Sequence, residues 1–123
     1  VETYNNLYDN EMKNALKQEL REKAKAHKIT MGVLSVRNNI TEKQYVQSSL
    51  NMEALVNKIK FLLNGRLFTN PQLQNDWTEQ GSENFTFEFV TVIHPQDNKY
   101  INYHQEIMKA EKAYLDSIDT EIY

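Results

Sequence analysis

The sequence predicts an α/β domain of the α+β kind: a small three-stranded, mainly antiparallel sheet flanked by helices, with an extra helix at the N-terminal end. Three observations carry that expectation. The apolar period switches from helical spacing to short β-branched runs and back. Asparagine, glycine and proline punctuate those runs at turn and cap positions. At 123 residues the chain is one domain's worth, large enough for a single core.

Residues 9–27 contain no Gly or Pro, are rich in Lys, Glu, Ala and Leu, and place Met12, Leu16, Leu20 and Ala24 at four-residue steps. This predicts a helix with a thin apolar stripe, supported by Asp9–Lys13 and Glu19–Lys23 pairs at helical spacing. We therefore divide the chain into an N-terminal helical extension, 1–29, and a domain, 30–123. Residues 31–36 are apolar and β-branched, Asn38-Asn39 signals a turn, and 44–47 contain Tyr45 and Val46, which predicts a β-hairpin. From Asn51, Met52, Leu55, Ile59, Leu62 and Leu63 share a helical face, and Gly65 stands where a helix would stop. Asn70-Pro71 supplies an N-cap and a first-turn proline for a short helix through Leu73 and Trp77, ending near Gly81. Trp77 is read as a core anchor rather than a ligand platform, because Leu73 precedes it by one turn. Phe85, Phe87 and Phe89 alternate with Thr86 and Glu88, which predicts a strand over 85–93. Its phenylalanines are expected to pack beneath helices rather than to stack bases. His94-Pro95 breaks it, and a last helix is expected over 100–118.

The chain has no cysteine, so disulfides and cysteine-bound zinc are excluded and a reducing compartment is the natural setting. There is no apolar run of membrane-spanning length and no signal-peptide pattern, so a cytoplasmic protein without membrane contact is expected. That it opens on Val rather than Met fits a trimmed chain or a fragment. A net charge of −3 argues against wholesale coating of a polyanion but leaves room for a local basic face. Lys58, Lys60 and Arg66, with Arg37 and Lys43 upstream, form that candidate face; an ordinary solvated surface is the simpler reading.

One residue stands out in the last helical stretch. Glu111 lies on the stripe His104, Met108, Glu111, Leu115, Ile118, whose spacing should turn inward. A carboxylate taken out of water needs a partner, a proton or a metal, unless the face is half wet and Glu111 sits at a rim. Periodicity leaves both open. His104, about two turns earlier on the stripe, is a candidate second residue, and Tyr45 is a third if something makes its hydroxyl special. Common site signatures are missing: there is no glycine-rich phosphate loop, nucleophile elbow or paired-histidine motif.

Two runs give these residues a setting. Met31-Gly32-Val33-Leu34-Ser35-Val36-Arg37-Asn38, followed by Lys43-Gln44-Tyr45-Val46-Gln47-Ser48-Ser49-Leu50-Asn51-Met52-Glu53, resembles the hairpin and following helix of GIY-YIG nuclease domains. Asn57-Lys58-Ile59-Lys60-Phe61, Leu73-Gln74-Asn75-Asp76-Trp77 and Gly81-Ser82-Glu83-Asn84-Phe85-Thr86-Phe87-Glu88 are similar, in order, to later segments of small stand-alone members. The resemblance covers about 31–118. It implies phosphodiester hydrolysis with motif tyrosines near the attacking water, an arginine on the phosphate and a glutamate holding one divalent metal, Mg²⁺ or Mn²⁺. Metal and guanidinium would offset charge developing on the phosphate. By this resemblance Glu111 falls at the metal-binding glutamate and Tyr45 at the tyrosine of the second motif.

The departures are as informative. The first motif ends in Leu34 instead of tyrosine, and the second in Gln47 instead of glycine. The helix position of the phosphate-binding arginine holds Leu55, with Lys58 one turn on as a substitute point charge. A histidine common after this helix is replaced by Phe68. Loss of one transition-state contact commonly costs on the order of 10²-fold in rate. The leading expectation is therefore a catalytically degenerate GIY-YIG-like domain, leaning away from an enzyme and kept for binding nucleic acid, DNA before RNA, or another interaction. The nucleic-acid-binding candidates are Arg37, Lys43, Lys58, Lys60 and Arg66; the candidate catalytic set, vestigial or not, is Tyr45, Glu111 and Lys58. One alternative is an active metal-dependent endonuclease with Lys58 or Arg66 replacing the arginine. The other is a protein-interaction module, binding a partner or a second copy through the N-terminal helix, without nucleic acid.

Overall fold

The computed structural model describes residues 29–97 and 100–123. The helix expected over 9–27, and with it the division at 29/30, lies outside the described residues. Strands β1 (Met31–Asn38), β2 (Gln44–Ser49) and β3 (Phe85–Ile93) form one antiparallel sheet in the order β2-β1-β3. Helices α1 (Met52–Asn64) and α2 (Pro71–Gln80) join β2 to a short 3-10 turn, Ser82–Asn84, before β3, and α3 (Tyr103–Ser117) follows.

The period of two in β1 assigns the faces. Leu34 and Val36 point into a core built with Met52, Leu55, Ile59, Leu63, Leu73, Trp77 and Phe85, so α1 and α2 cover that face. Val33 and Ser35 point the other way, where α3 packs. Each large side chain in the core stabilises the fold by roughly 1.5–3 kcal/mol relative to exposure. Trp77 is the core anchor expected of it: its ring meets Phe85 at 5.1 Å between centroids, and its Nε1–H donates to Asn64 Oδ1 at 3.1 Å.

Asparagine starts each of α1, α2 and α3. Asn51, Asn70 and Asn102 accept hydrogen bonds from the amides of Ala54, Leu73 and Gln105 at 3.1, 3.1 and 3.2 Å. Of the three caps only Asn70 was anticipated, and Asn102 starts α3 at Tyr103 rather than near Tyr100. The hairpin turn is held by Asn38, whose Oδ1 accepts from the amides of Ile40 and Thr41 at 2.9 and 3.3 Å.

Helix α1 ends at Asn64 with Gly65 as its C-cap, as expected; the turn is of the Schellman type, with Arg66 its left-handed residue (φ 60°) and Leu67 N–H returning to the Leu62 carbonyl at 2.8 Å. Two details differ from expectation. On β3, Phe85 is buried and Phe87 half-buried as expected, but Phe89 is 38% exposed. It pairs with Leu34 immediately before the register shift, at which Val90 is the extra residue. Finally, α3 is rotated from the expected stripe. Tyr103, Ile107, Ala110, Glu111 and Tyr114 turn toward the sheet, while His104, Met108 and Leu115 are exposed. Two apolar stripes fit the spacing equally, and hydrogen bonds from Tyr114 to Gln44 and from Ser48 to Glu111 fix the rotation.

Candidate active site at the edge strand

Strand β2 is an edge of the sheet, and alternate residues of an edge strand direct their amide and carbonyl away from their neighbour. Ser48 donates its amide to Glu111 Oε1 at 3.0 Å. Glu111, half-buried on α3, is thus the inward carboxylate that the sequence singled out, and its partner is a strand amide. Four residues earlier, Gln44 is paired outward too: its N–H donates to the Glu121 carbonyl at 3.0 Å, and its carbonyl accepts from Tyr123 N–H at 2.9 Å.

Tyr45 lies opposite Val36, so its side chain is on the α1 face. Its hydroxyl donates to Gln47 Oε1 at 2.8 Å, and Phe68 meets its ring edge-on at 5.2 Å. Phe68 is held there because Gln74 accepts its amide and donates to the Leu63 carbonyl, both at 3.0 Å. Burial, and secondarily the Glu111 charge, raises the Tyr45 pKa above the ordinary tyrosine value. The structure therefore brings Tyr45 and Glu111 together electrostatically, although they come from opposite sheet faces. His104 is outward and exposed, so it does not join them.

The positions that depart from the nuclease pattern are occupied. Leu34 has no exposure and lies directly opposite Gln47, and Leu55 is built into the core. Lys58 is exposed on α1, one turn beyond Leu55.

Solved structures with the same arrangement of strands and helices identify the fold. A variant of the catalytic domain of the intron endonuclease I-TevI, 15% identical, matches with a TM-score of 0.60 over 74% of this chain and 86% of that one. The catalytic domain of the homing endonuclease I-TevI, 17% identical, matches at 0.57 over 75% of this chain and 96% of its own. This chain has a GIY-YIG-like fold. No family model and no curated protein sequence matches it.

On this GIY-YIG-like fold the basic candidates are dispersed. Lys58, Lys60 and Arg66 lie on or just after α1. Arg37 is exposed near the hairpin end of β1, in register with Gln44 and on the α3 face. Lys43 approaches Glu121 at 3.7 Å and the Tyr123 ring at 5.7 Å, and Lys60 sits 4.9 Å above the Phe87 ring. For a metal, no group of three or more His, Cys, Asp or Glu is assembled among the described residues. Mg²⁺ is commonly held by one or two carboxylates with water and phosphate completing its shell, and Glu111 is the carboxylate that the family resemblance points to.

Two polar networks escaped the sequence reading. Buried Gln44 accepts from Ser35 Oγ at 2.7 Å and from Tyr114 OH at 2.6 Å, and donates to Thr120 Oγ1 at 2.8 Å. Asn38, with no exposure, donates to Gln80 Oε1 at 2.9 Å and to Tyr123 OH at 3.0 Å, while Tyr123 donates to Asp76 Oδ2 at 2.5 Å. Polar residues inside a strand or turn pattern are the only signal for either, because the partners are up to 85 residues apart.

Proposed function

We propose that this GIY-YIG-like domain is catalytically degenerate and is kept as a nucleic-acid-binding module, with DNA the favoured ligand. The observation that supports this reading is the filled site: apolar Leu34 and Leu55 stand in the core where hydroxyl and guanidinium groups are needed. The groups that remain have other partners. Tyr45 is held by Gln47 and stays protonated at neutral pH, which disfavours it as the base that prepares water. Glu111 satisfies a strand amide with one oxygen. Binding would run through phosphate contacts of Arg37, Lys43, Lys58, Lys60 and Arg66, and would weaken steeply with salt.

The rival reading, a working Mg²⁺- or Mn²⁺-dependent endonuclease, draws support from Lys58, whose exposed ammonium stands one turn from the arginine position. Incubation with supercoiled plasmid and either metal separates the two. The module reading expects intact plasmid at high protein excess, alongside anisotropy-detected binding of a labelled oligonucleotide that falls as salt rises. Nicking by the parent that disappears in Glu111→Ala would establish the enzyme instead.

A further inference from the structure

Phe89 and Val92 lie on the sheet face that α1 and α2 cover, because their partners on β1, Leu34 and Gly32, share that face. The bulge at Val90 brings these residues, three apart, to the same side. Trp77 covers Phe85 and Phe87 at the other end of β3. Here Gly32 has no side chain to lay over its neighbour, and Phe89 and Val92 stay 38% and 41% exposed. With Ile29, Ile93 and Pro95 they line a cleft of about 640 Å³ beside the start of α1.

The chain enters the domain at this cleft. Ile29, 65% exposed, is part of its lining. Thr30 is fixed next to it: its amide donates to Glu53 Oε1 at 2.6 Å, and its carbonyl accepts from Met52 N–H at 2.8 Å. The preceding residues therefore start from the rim, and the stripe Met12, Leu16, Leu20, Ala24 ends five residues before Ile29. Five residues reach at most about 18 Å. A stripe tethered so closely meets the cleft at an effective concentration of about a millimolar, above that of a second copy in an ordinary protein solution.

We propose that the cleft is the seat of the chain's own N-terminal segment: residues 9–27 lie there as a helix, with Met12, Leu16, Leu20 and Ala24 against Phe89, Val92 and Pro95. A stripe of one residue per turn fills a cleft while leaving the flanking lysines and glutamates in water. The segment is then part of the domain's apolar core rather than an arm that meets a partner.

Thiol labelling of the whole chain tests this, because the sequence has no cysteine of its own. In Val92→Cys a seated segment shields the thiol from a disulfide-exchange reagent. Adding Leu16→Ala and Leu20→Ala should speed labelling by roughly tenfold or more, since each lost leucine contact is worth at least that factor. Alanine preserves helix propensity. Adding Gln18→Ala instead, on the far side of the same helix, should leave the rate unchanged. Trp77 emission equal to the parent's shows the core intact in each variant, and Pro95→Cys repeats the measurement from a position outside the strand. A labelling rate that is the same with and without the leucines overturns the seat, as does equal acceleration by Gln18→Ala. Protection that fades on dilution also overturns it, and assigns the stripe to a second copy.

Discussion

Arg66 holds a left-handed backbone at the end of α1, a conformation that costs a non-glycine residue roughly 1–2 kcal/mol. Gly65, the stop that the sequence suggested, caps α1 just before it, and the Leu67-to-Leu62 hydrogen bond sets the turn. Arg66→Gly is accordingly expected to raise stability by about 1 kcal/mol in urea denaturation. If Arg66 contacts phosphate, the same variant weakens oligonucleotide binding, so the two readouts move in opposite directions. At this scale Glu111 was legible as a carboxylate needing a partner. Its partner was not, because a Ser48 amide is identified only by the edge position of β2. Leu34 and Gln47 illustrate the converse: the substitutions were visible in the sequence, and their cross-strand pairing is what makes them one filled position.

The strands were readable as elements because period two and turn chemistry agree over short spans. The rotation of α3 was not, since two stripes of similar spacing compete and long-range hydrogen bonds decide between them. Within β1, Gly32 shows how an element depends on its neighbour. Its φ is +152°, and a Cβ built there would stand 1.9 Å from the Thr91 carbonyl oxygen of β3. Gly32 is therefore required by close strand approach. Gly32→Ala should force β1 and β3 apart and cost about 3 kcal/mol, read as a fall in the thermal midpoint with loss of sheet signal in circular dichroism. A variant of parental stability would show that this approach is not maintained in solution.

Across the molecule, the chain after α3 passes along the edge of β2 and ends on the opposite face. Glu121 and Tyr123 pair with Gln44, and the Tyr123 hydroxyl enters the Asn38–Asp76 network. With Glu111 on Ser48, this occupies an edge that could otherwise pair with another strand. Burial and the hydrogen bond to Asp76 hold the Tyr123 pKa above the ordinary tyrosine value of 10.0. A folded-state pKa raised in this way stabilises the fold fully below the unfolded value, and the contribution is lost as pH rises through the folded one. Tyr123→Phe should therefore cost about 1 kcal/mol at pH 8, where its hydrogen bonds are intact. The difference from the parent should shrink above about pH 10 as the parent phenol ionises. Urea midpoints of both proteins across that range check it, and a difference independent of pH would remove Tyr123 from the network's energetics.

By itself the sequence determined the order of strands and helices from Met31 onward, the hairpin, the cap at Asn70 and the core role of Trp77, and its runs carried the resemblance to GIY-YIG domains whose fold the structure shows. All but the resemblance rest on contacts near in sequence or on patterns that local chemistry imposes. Only the tertiary structure decided the rotation of α3, the partner of Glu111 and the Gln44 and Asn38 networks. Each of these joins residues distant along the chain, and their geometry comes from the packing of sheet and helices rather than from any local preference.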